Sequence, residues 1–200
     1  MATKKPYHKE DLRGDLLGAG RVYVAENGHV GLSVRTLAQQ VGVSPGAPYH
    51  HFPDRRTFLL ALAVEGFKEL MESSDLIANS DASGADKLKA MGVTFIRFAD
   101  DNPRLMDLMY ESELTSPTLA PELQQFQLIG YKALKKPITD TLPDASEAEI
   151  ELRGIAFWSA IYGFSTMRRK GVLHPSDDAI PSLDIVDSII DRFVLTALAS

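Results

Sequence analysis

Residues 41–56 read V-G-V-S-P-G-A-P-Y-H-H-F-P-D-R-R, and they gather Ser44, Tyr49, His50, His51, Arg55 and Arg56 into one short span. Hydroxyl, imidazole and guanidinium groups are the side chains that meet phosphate oxygens and base edges. The two histidines also raise metal binding. Adjacent helical positions point about 100° apart, so the pair cannot easily share one ion. Elsewhere, Glu111 and Glu113 are close in sequence, but positions i and i+2 of a helix do not face one site. The chain has no G-x-S-x-G, no H-E-x-x-H, no phosphate-binding loop and no cysteine, so catalysis, metal and cofactor chemistry are not expected. The glycines Gly14, Gly18 and Gly20 lack the spacing and the preceding strand of a dinucleotide loop and are read as sites of close helix packing.

What must hold such a span in place is a pair of helices. A first helix over about 9–27 stops at Asn27-Gly28. Ser33 is placed to cap a second, in which Val34, Leu37, Ala38 and Val41 form one apolar face. Gly42 ends it. Ser44 would then cap a short third helix, with Pro45 at its first position, where the missing N–H is not needed. Pro53 closes that helix after Phe52, and Asp54 caps a longer one running to about residue 74. Two helices joined by a tight Gly42-Val43 turn, the second short and small-tipped, form a helix-turn-helix: Ser33–Val41 supports and Ser44–His51 recognises. Ser44, Pro45, Gly46 and Ala47 let a backbone approach a groove. Tyr49 and His50 reach beyond it. Ser33, Arg35, Thr36 and Arg55 flank it with phosphate-binding groups. Phe52 is read as core, and His51 as structural.

No strand alternation or repeat is visible, and the whole chain reads as about nine helices. After the linker N-S-D-A-S-G-A-D (79–86), apolar helical segments cover 86–100, 104–114, 121–140, 147–170 and 183–198. Domains are accordingly expected at 9–69 and 79–200. Charge supports the division. The chain carries −6 overall, but residues 1–60 hold eight Lys/Arg against five Asp/Glu, a net of +3, leaving −9 for the rest. A polyanion-facing end and an acidic body follow. The absence of cysteine fits a reducing compartment. No apolar run approaches the roughly 20 residues of a membrane span. The first residues lead into no apolar stretch, so a cytoplasmic location is expected and a membrane is not.

The order and spacing of Ala25, Gly28, Ser33-Val34, Leu37-Ala38, Gly42-Val43-Ser44, Tyr49, Phe52, Arg55 and Phe58 resemble the DNA-binding domain of the TetR-type regulators. Arg55 stands where that family usually has lysine, and Pro48 where an aliphatic is frequent. A branch with A-P-Y at this place also has a late Trp-x-x-x-aromatic-Gly motif, similar to Trp158–Gly163 here. The resemblance implies an all-α fold: a three-helix DNA-binding domain and a helical ligand-binding and dimerisation domain. It implies a ligand-responsive homodimer that binds double-stranded DNA at a palindromic operator, most simply a repressor released by a small hydrophobic or amphipathic effector.

Two helices of the body bear on assembly. In 183–198, Leu183, Val186, Ile190, Phe193, Val194 and Ala197 form one stripe and Ile185 and Ile189 another. The segment 155–167 is apolar almost all round. Helices buried on both sides suit a four-helix dimer interface, expected to use Phe157, Ile161, Phe164, Leu183, Val186, Ile190, Phe193 and Val194. Met91, Phe95, Phe98, Met106, Met109, Tyr110, Phe126 and Trp158 are candidates to line an adaptable apolar pocket for the effector. A ligand-sequestering protein without DNA binding is the competing class; it predicts ligand affinity with no salt-dependent affinity for DNA.

Overall fold

The computed structural model describes residues 11–173 and 185–199. Among them are eight α-helices: α1 (Leu12–Asn27), α2 (Val34–Gln40), α3 (Arg55–Ala78), α4 (Gly84–Asp101), α5 (Pro103–Tyr110), α6 (Pro121–Thr141), α7 (Glu147–Arg169) and α8 (Ile185–Leu198). One 3₁₀ helix, Ala47–His50, lies between α2 and α3. The described residues contain no strand. The all-α expectation therefore holds, with one of the nine expected helices replaced by a single 3₁₀ turn.

Helix starts are held by side-chain caps, of which Asp54 is one read from the sequence. The carboxylate of Asp11 accepts from the Gly14 N–H at 2.9 Å, Ser83 Oγ from Asp86 N–H at 3.1 Å, and Ser146 Oγ from Glu149 N–H at 3.2 Å. Asp54 accepts from Thr57 N–H at 2.7 Å, and that backbone bond holds its carboxyl below the usual value. Two stops need glycine. Gly28 and Gly42 have φ of 75° and 77°, left-handed backbone that other residues rarely adopt.

The chain folds as two compact units. One comprises residues 1–65, so far as described, and Arg104–Thr118. The other comprises 66–103 and 119–200, so far as described. This differs from the expected split at 69/79. The expected linker forms only a bend before Ser83, and α3 runs on to Ala78. The segment 104–118, expected in the body, belongs with the first 65 residues. Its Leu105, Met106, Leu108, Met109 and Leu114 are buried, as are Leu16, Val24, Leu37, Phe52, Phe58 and Leu59 of the same unit. An apolar α5 read alone cannot say which unit it completes.

The second unit packs α4, α6, α7 and α8 around Phe95, Ile96, Ile138, Phe157, Ile161 and Ile190. Polar ties lock its edges: Lys89 to Asp191 at 2.7 Å, Arg168 to Asp100 at 2.7 Å, and Arg153 Nη1 to the Ala197 carbonyl at 2.9 Å. Tyr131 donates to Glu151 at 2.8 Å, and Glu151 also accepts from Lys135. Burial, and then the Glu151 bond, push the Tyr131 phenol up to about 12.

Of the three α1 glycines only Gly20 meets the close-packing expectation. A Cβ there would lie 2.6 Å from the Phe58 ring, whereas at Gly18 it would meet nothing within 4 Å, and at Gly14 only the capping Asp11. Gly20→Ala should therefore destabilise by about 1–3 kcal/mol through overpacking. Gly18→Ala should stabilise by about 0.4–1 kcal/mol through the unfolded chain. Thermal denaturation followed by circular dichroism separates the two; equal shifts would contradict the packing account.

Candidate nucleic-acid interface

The helix-turn-helix is built by short backbone bonds. Ser33 Oγ accepts from Thr36 N–H at 3.4 Å at the head of α2. At its end Gly42 N–H donates to Gln39 O at 3.1 Å and Val43 N–H to Ala38 O at 2.9 Å, which closes the turn. The second element departs from the expected helix over 44–51. Ser44–Gly46 form a turn in which Ala47 N–H donates to the Ser44 carbonyl, and only Ala47–His50 are helical, as 3₁₀. Pro45 and Pro48 explain it: neither has an N–H to give to an α-helical ladder. Pro48 is buried. Its carbonyl accepts from both His51 and Phe52 N–H, at 2.9 and 2.8 Å, and this ends the turn.

This geometry leaves Ser33, Arg35, Thr36, Ser44, Pro45, Gly46, Tyr49 and His50 exposed and Ala47 half-buried. Phe52 is buried as expected, edge-on to Phe58 with ring centroids 4.8 Å apart and Arg13 over its face at 5.6 Å. His51 is exposed, not packed into the domain as expected, and only its tilted ring faces Phe52 at 6.4 Å. Among the described residues no group of three His, Asp or Glu is placed to hold a metal ion. None of their helices is long and apolar enough to cross a membrane.

Arg55 differs from expectation. Its guanidinium does not point outward toward a DNA phosphate; it is turned inward. Nε donates to the Leu32 carbonyl at 3.0 Å and Nη2 to those of His29 and Val30 at 2.6 and 3.0 Å. Nη1 donates to the Glu113 carboxylate. Three carbonyls of the α1–α2 loop are thus tied to one fork, a geometry lysine could not reproduce. Arg56 Nη1 donates to the Glu113 carbonyl at 2.5 Å, and Arg104 Nη1 to the Ala25 carbonyl at the end of α1 at 2.8 Å. The pairings of Glu113, Arg56 and Arg104 are what the sequence does not reveal. Their partners lie 57 to 79 positions away, and nothing local in the chain announces such pairs.

The eight pocket candidates fall into two groups. Met106, Met109 and Tyr110 belong to the unit of the helix-turn-helix, with both methionines buried in its core. Met91, Phe95, Phe98, Phe126 and Trp158 belong to the other. There Phe95 stands edge-on to Trp158 at 5.0 Å, Trp158 lies 6.0 Å from Tyr162, and Phe126 stacks on Phe67 at 5.7 Å. On the same face of α7 the hydroxyls of Ser165 and Thr166 are buried with no hydrogen-bond partner; Ser165 is 1% exposed.

Most of the dimer candidates lie inside one unit. Phe157, Ile161, Phe164, Val186, Ile190 and Val194 are buried in the core of their own unit. Phe193 is half-buried, edge-on to Phe164 at 6.3 Å, and Leu183 lies outside the described residues. The apolar side chains that α7 and α8 leave outside include Leu152, Ile155 and Leu195, 62%, 49% and 71% exposed. A groove of about 510 Å³ runs there, lined among others by Leu152, Ala156, Ala160, Phe193 and Thr196.

These elements make a helix-turn-helix head and a helical body, and the family follows. A model of the tetracycline repressor-like C-terminal domain matches residues 88–193. One of the tetR family of bacterial regulatory proteins matches residues 16–62. The chain belongs to the TetR family. The HTH-type transcriptional repressor AcnR of Corynebacterium diphtheriae is 42% identical over 60 residues, 30% of this chain and 32% of that protein. The chain thus spans about a third of the length of that relative. A Rhodococcus sp. RHA1 protein of unknown function has the same fold at a TM-score of 0.80, with 25% identity over 98% of this chain and 97% of that one. The TetR family regulator PfmR of Thermus thermophilus aligns at 0.64 with 18% identity, over 92% and 96% of the two chains.

Glu113 gives a pH-dependent signature. Burial raises its pKa, but the Arg55 hydrogen bond and its own backbone bond outweigh that and hold it below the ordinary 4.5. A carboxylate depressed on folding contributes stability above its unfolded pKa and loses it as pH falls through the folded value. Wild type should therefore exceed Glu113→Gln in stability by less than about 1 kcal/mol near pH 6. The difference should vanish well below pH 4.5 in urea titrations. A gap that persists at low pH would rule out the ionised carboxylate as its source.

Proposed function

We propose that the chain is a homodimeric repressor that occupies a near-palindromic operator and leaves it when a small hydrophobic or amphipathic effector binds. The observation that carries the DNA reading is the exposed, small-tipped turn Ser44–Ala47 followed by Tyr49 and His50, set behind α2 with Ser33, Arg35 and Thr36 at its start. Small residues let the backbone enter the major groove, Tyr49 and His50 reach phosphate or base edges, and the residues opening α2 meet the flanking backbone. Arg55 acts on this surface through the loop it holds. The repressor sense is supported by the name of the AcnR relative. The setting is the cytoplasm.

Dimerisation uses the outer face of α7 and α8. Leu152, Ala156 and Ala160 are spaced i, i+4, i+8 along α7, and the small alanines permit close approach of a second copy's helices. Two-fold symmetry then places two heads for two half-sites. In-vitro selection against random duplexes should enrich a near-palindrome whose affinity falls as salt is raised. Tyr49→Ala should lose about tenfold or more in affinity. Ala160→Arg should sediment as a monomer and lose the site. Selection that yields only unsymmetrical or unenriched sequences sinks this reading.

The effector is proposed to lie against Trp158, Tyr162 and Phe95, with its polar group on the Ser165 and Thr166 hydroxyls. Those buried hydroxyls otherwise carry a desolvation cost with nothing to offset it. Trp158 is the sole tryptophan, so binding is read directly. An amphipathic compound that releases the operator should change Trp158 fluorescence, and Ser165→Ala with Thr166→Val should weaken it about tenfold. An effector that releases DNA yet leaves both readouts untouched binds elsewhere.

A further inference from the structure

We propose that Glu113 is a positioning residue for DNA recognition, acting through Arg55 on the loop that sets the entry of α2. The inference rests on the DNA-binding reading above. One carboxylate oxygen accepts from Arg55 Nη1, and the other lies 3.7 Å from His29 Nε2. The Glu113 carbonyl accepts from Arg56. Arg55 directs its remaining donors to the carbonyls of His29, Val30 and Leu32. Leu32 directly precedes Ser33, the cap of the first helix of the helix-turn-helix. The observed rotamer places the fork on all three carbonyls, and Glu113 is the acceptor that takes its remaining terminal nitrogen.

Stability does not account for the residue. The ion pair is partly exposed, with Arg55 and Glu113 side chains 37% and 40% accessible, a setting in which such pairs contribute little. Electrostatic attraction to DNA is opposed by it, since the carboxylate cancels a cation beside the proposed interface. A group that adds little stability and weakens non-specific attraction is accounted for by the geometry it imposes. The same segment carries Arg104, which binds the Ala25 carbonyl at the other end of the α1–α2 connection. The loop is thus fixed from both sides by residues 104–118. That segment is joined covalently to α4 at one end and to α6 at the other.

The test uses the full chain, the duplex it selects in vitro, and a scrambled duplex of equal length. Glu113→Ala removes charge and acceptor; Glu113→Gln keeps an acceptor oxygen without the charge. Dissociation constants are measured for both duplexes at several salt concentrations, beside thermal stability and amide exchange over residues 29–33. Positioning predicts a loss of about tenfold on the selected duplex for the alanine variant and a smaller loss for glutamine. Affinity for the scrambled duplex stays the same or tightens, and exchange in the loop rises. Parallel losses on both duplexes that track a lowered melting temperature would reduce Glu113 to a structural residue. Tighter binding to both duplexes by both variants would make it only an electrostatic screen. An unchanged ratio of the two affinities would also overturn the proposal. If the wild type selects no duplex at all, the DNA-binding reading fails first and takes this one with it.

Discussion

A helix-turn-helix of about 60 residues buries little apolar surface for the backbone it must order, and its stability is marginal on that count. In this chain the core of the head is completed by a distant piece of sequence, Arg104–Thr118, whose Leu105, Met106, Leu108, Met109 and Leu114 are all buried with it. The consequence reaches beyond stability. A head that needs residues 104–118 to close its core cannot be cut cleanly from the rest of the chain. A truncation after residue 65 removes five buried side chains from the unit that holds Phe52 and Phe58, and removal of the first 60 residues takes away most of the unit that holds the methionines of α5. The head is therefore a composite of two stretches of sequence.

That dependence explains why local sequence misplaces Arg55. Its position in the motif, at the start of a helix beside the recognition element, is where a cation contacts phosphate, and local sequence carries only that information. The structure supplies a closer demand: three carbonyls of the α1–α2 loop, of which that of His29 also accepts from the Leu32 N–H at 3.2 Å, all take a donor from this one side chain. Unpaired carbonyls in a partly buried loop are costly, and a forked donor satisfies all three. The near neighbour Arg56 and the opposing Glu113 then complete a network that spans nearly 60 positions of sequence. One chain without relatives aligned to it offers no signal for such pairs.

What is legible in the sequence is what local rules control. Ser33, Asp54 and the glycine stops at 28 and 42 stand where capping chemistry puts them. Most helix bounds fall within a few residues of expectation. The 3₁₀ turn at Ala47–His50 departs from it, because Pro45 and Pro48 do not bracket an α-helix but remove its ladder. Global choices are less accessible. Helical periodicity reveals that α7 and α8 each have two apolar faces, but not which face meets the chain's own core. The bulkier stripe of Phe157, Ile161, Phe164, Ile190 and Val194 goes inward, as volume would favour. The flatter, smaller stripe of Leu152, Ala156 and Ala160 is left outside, and small side chains are the ones that let helix axes come close.

The charge of the composite head sharpens the role of geometry. Residues 1–65 carry eight Lys/Arg and six Asp/Glu, a net of +2; residues 104–118 carry Arg104 against Asp107, Glu111 and Glu113, a net of −2. The positive end seen in the first 60 residues is cancelled once the folded unit is counted whole. A neutral head on an acidic chain gains little from diffuse attraction to a polyanion. Discrimination must then come from a few contacts held in register, and an energy difference of about 1.4 kcal/mol at one contact is already tenfold in affinity. Under those terms the rigid attachment of the α1–α2 loop matters more than one additional free arginine on the surface. The chain's use of Arg55 as a strut is consistent with a regulator that binds by fit more than by charge.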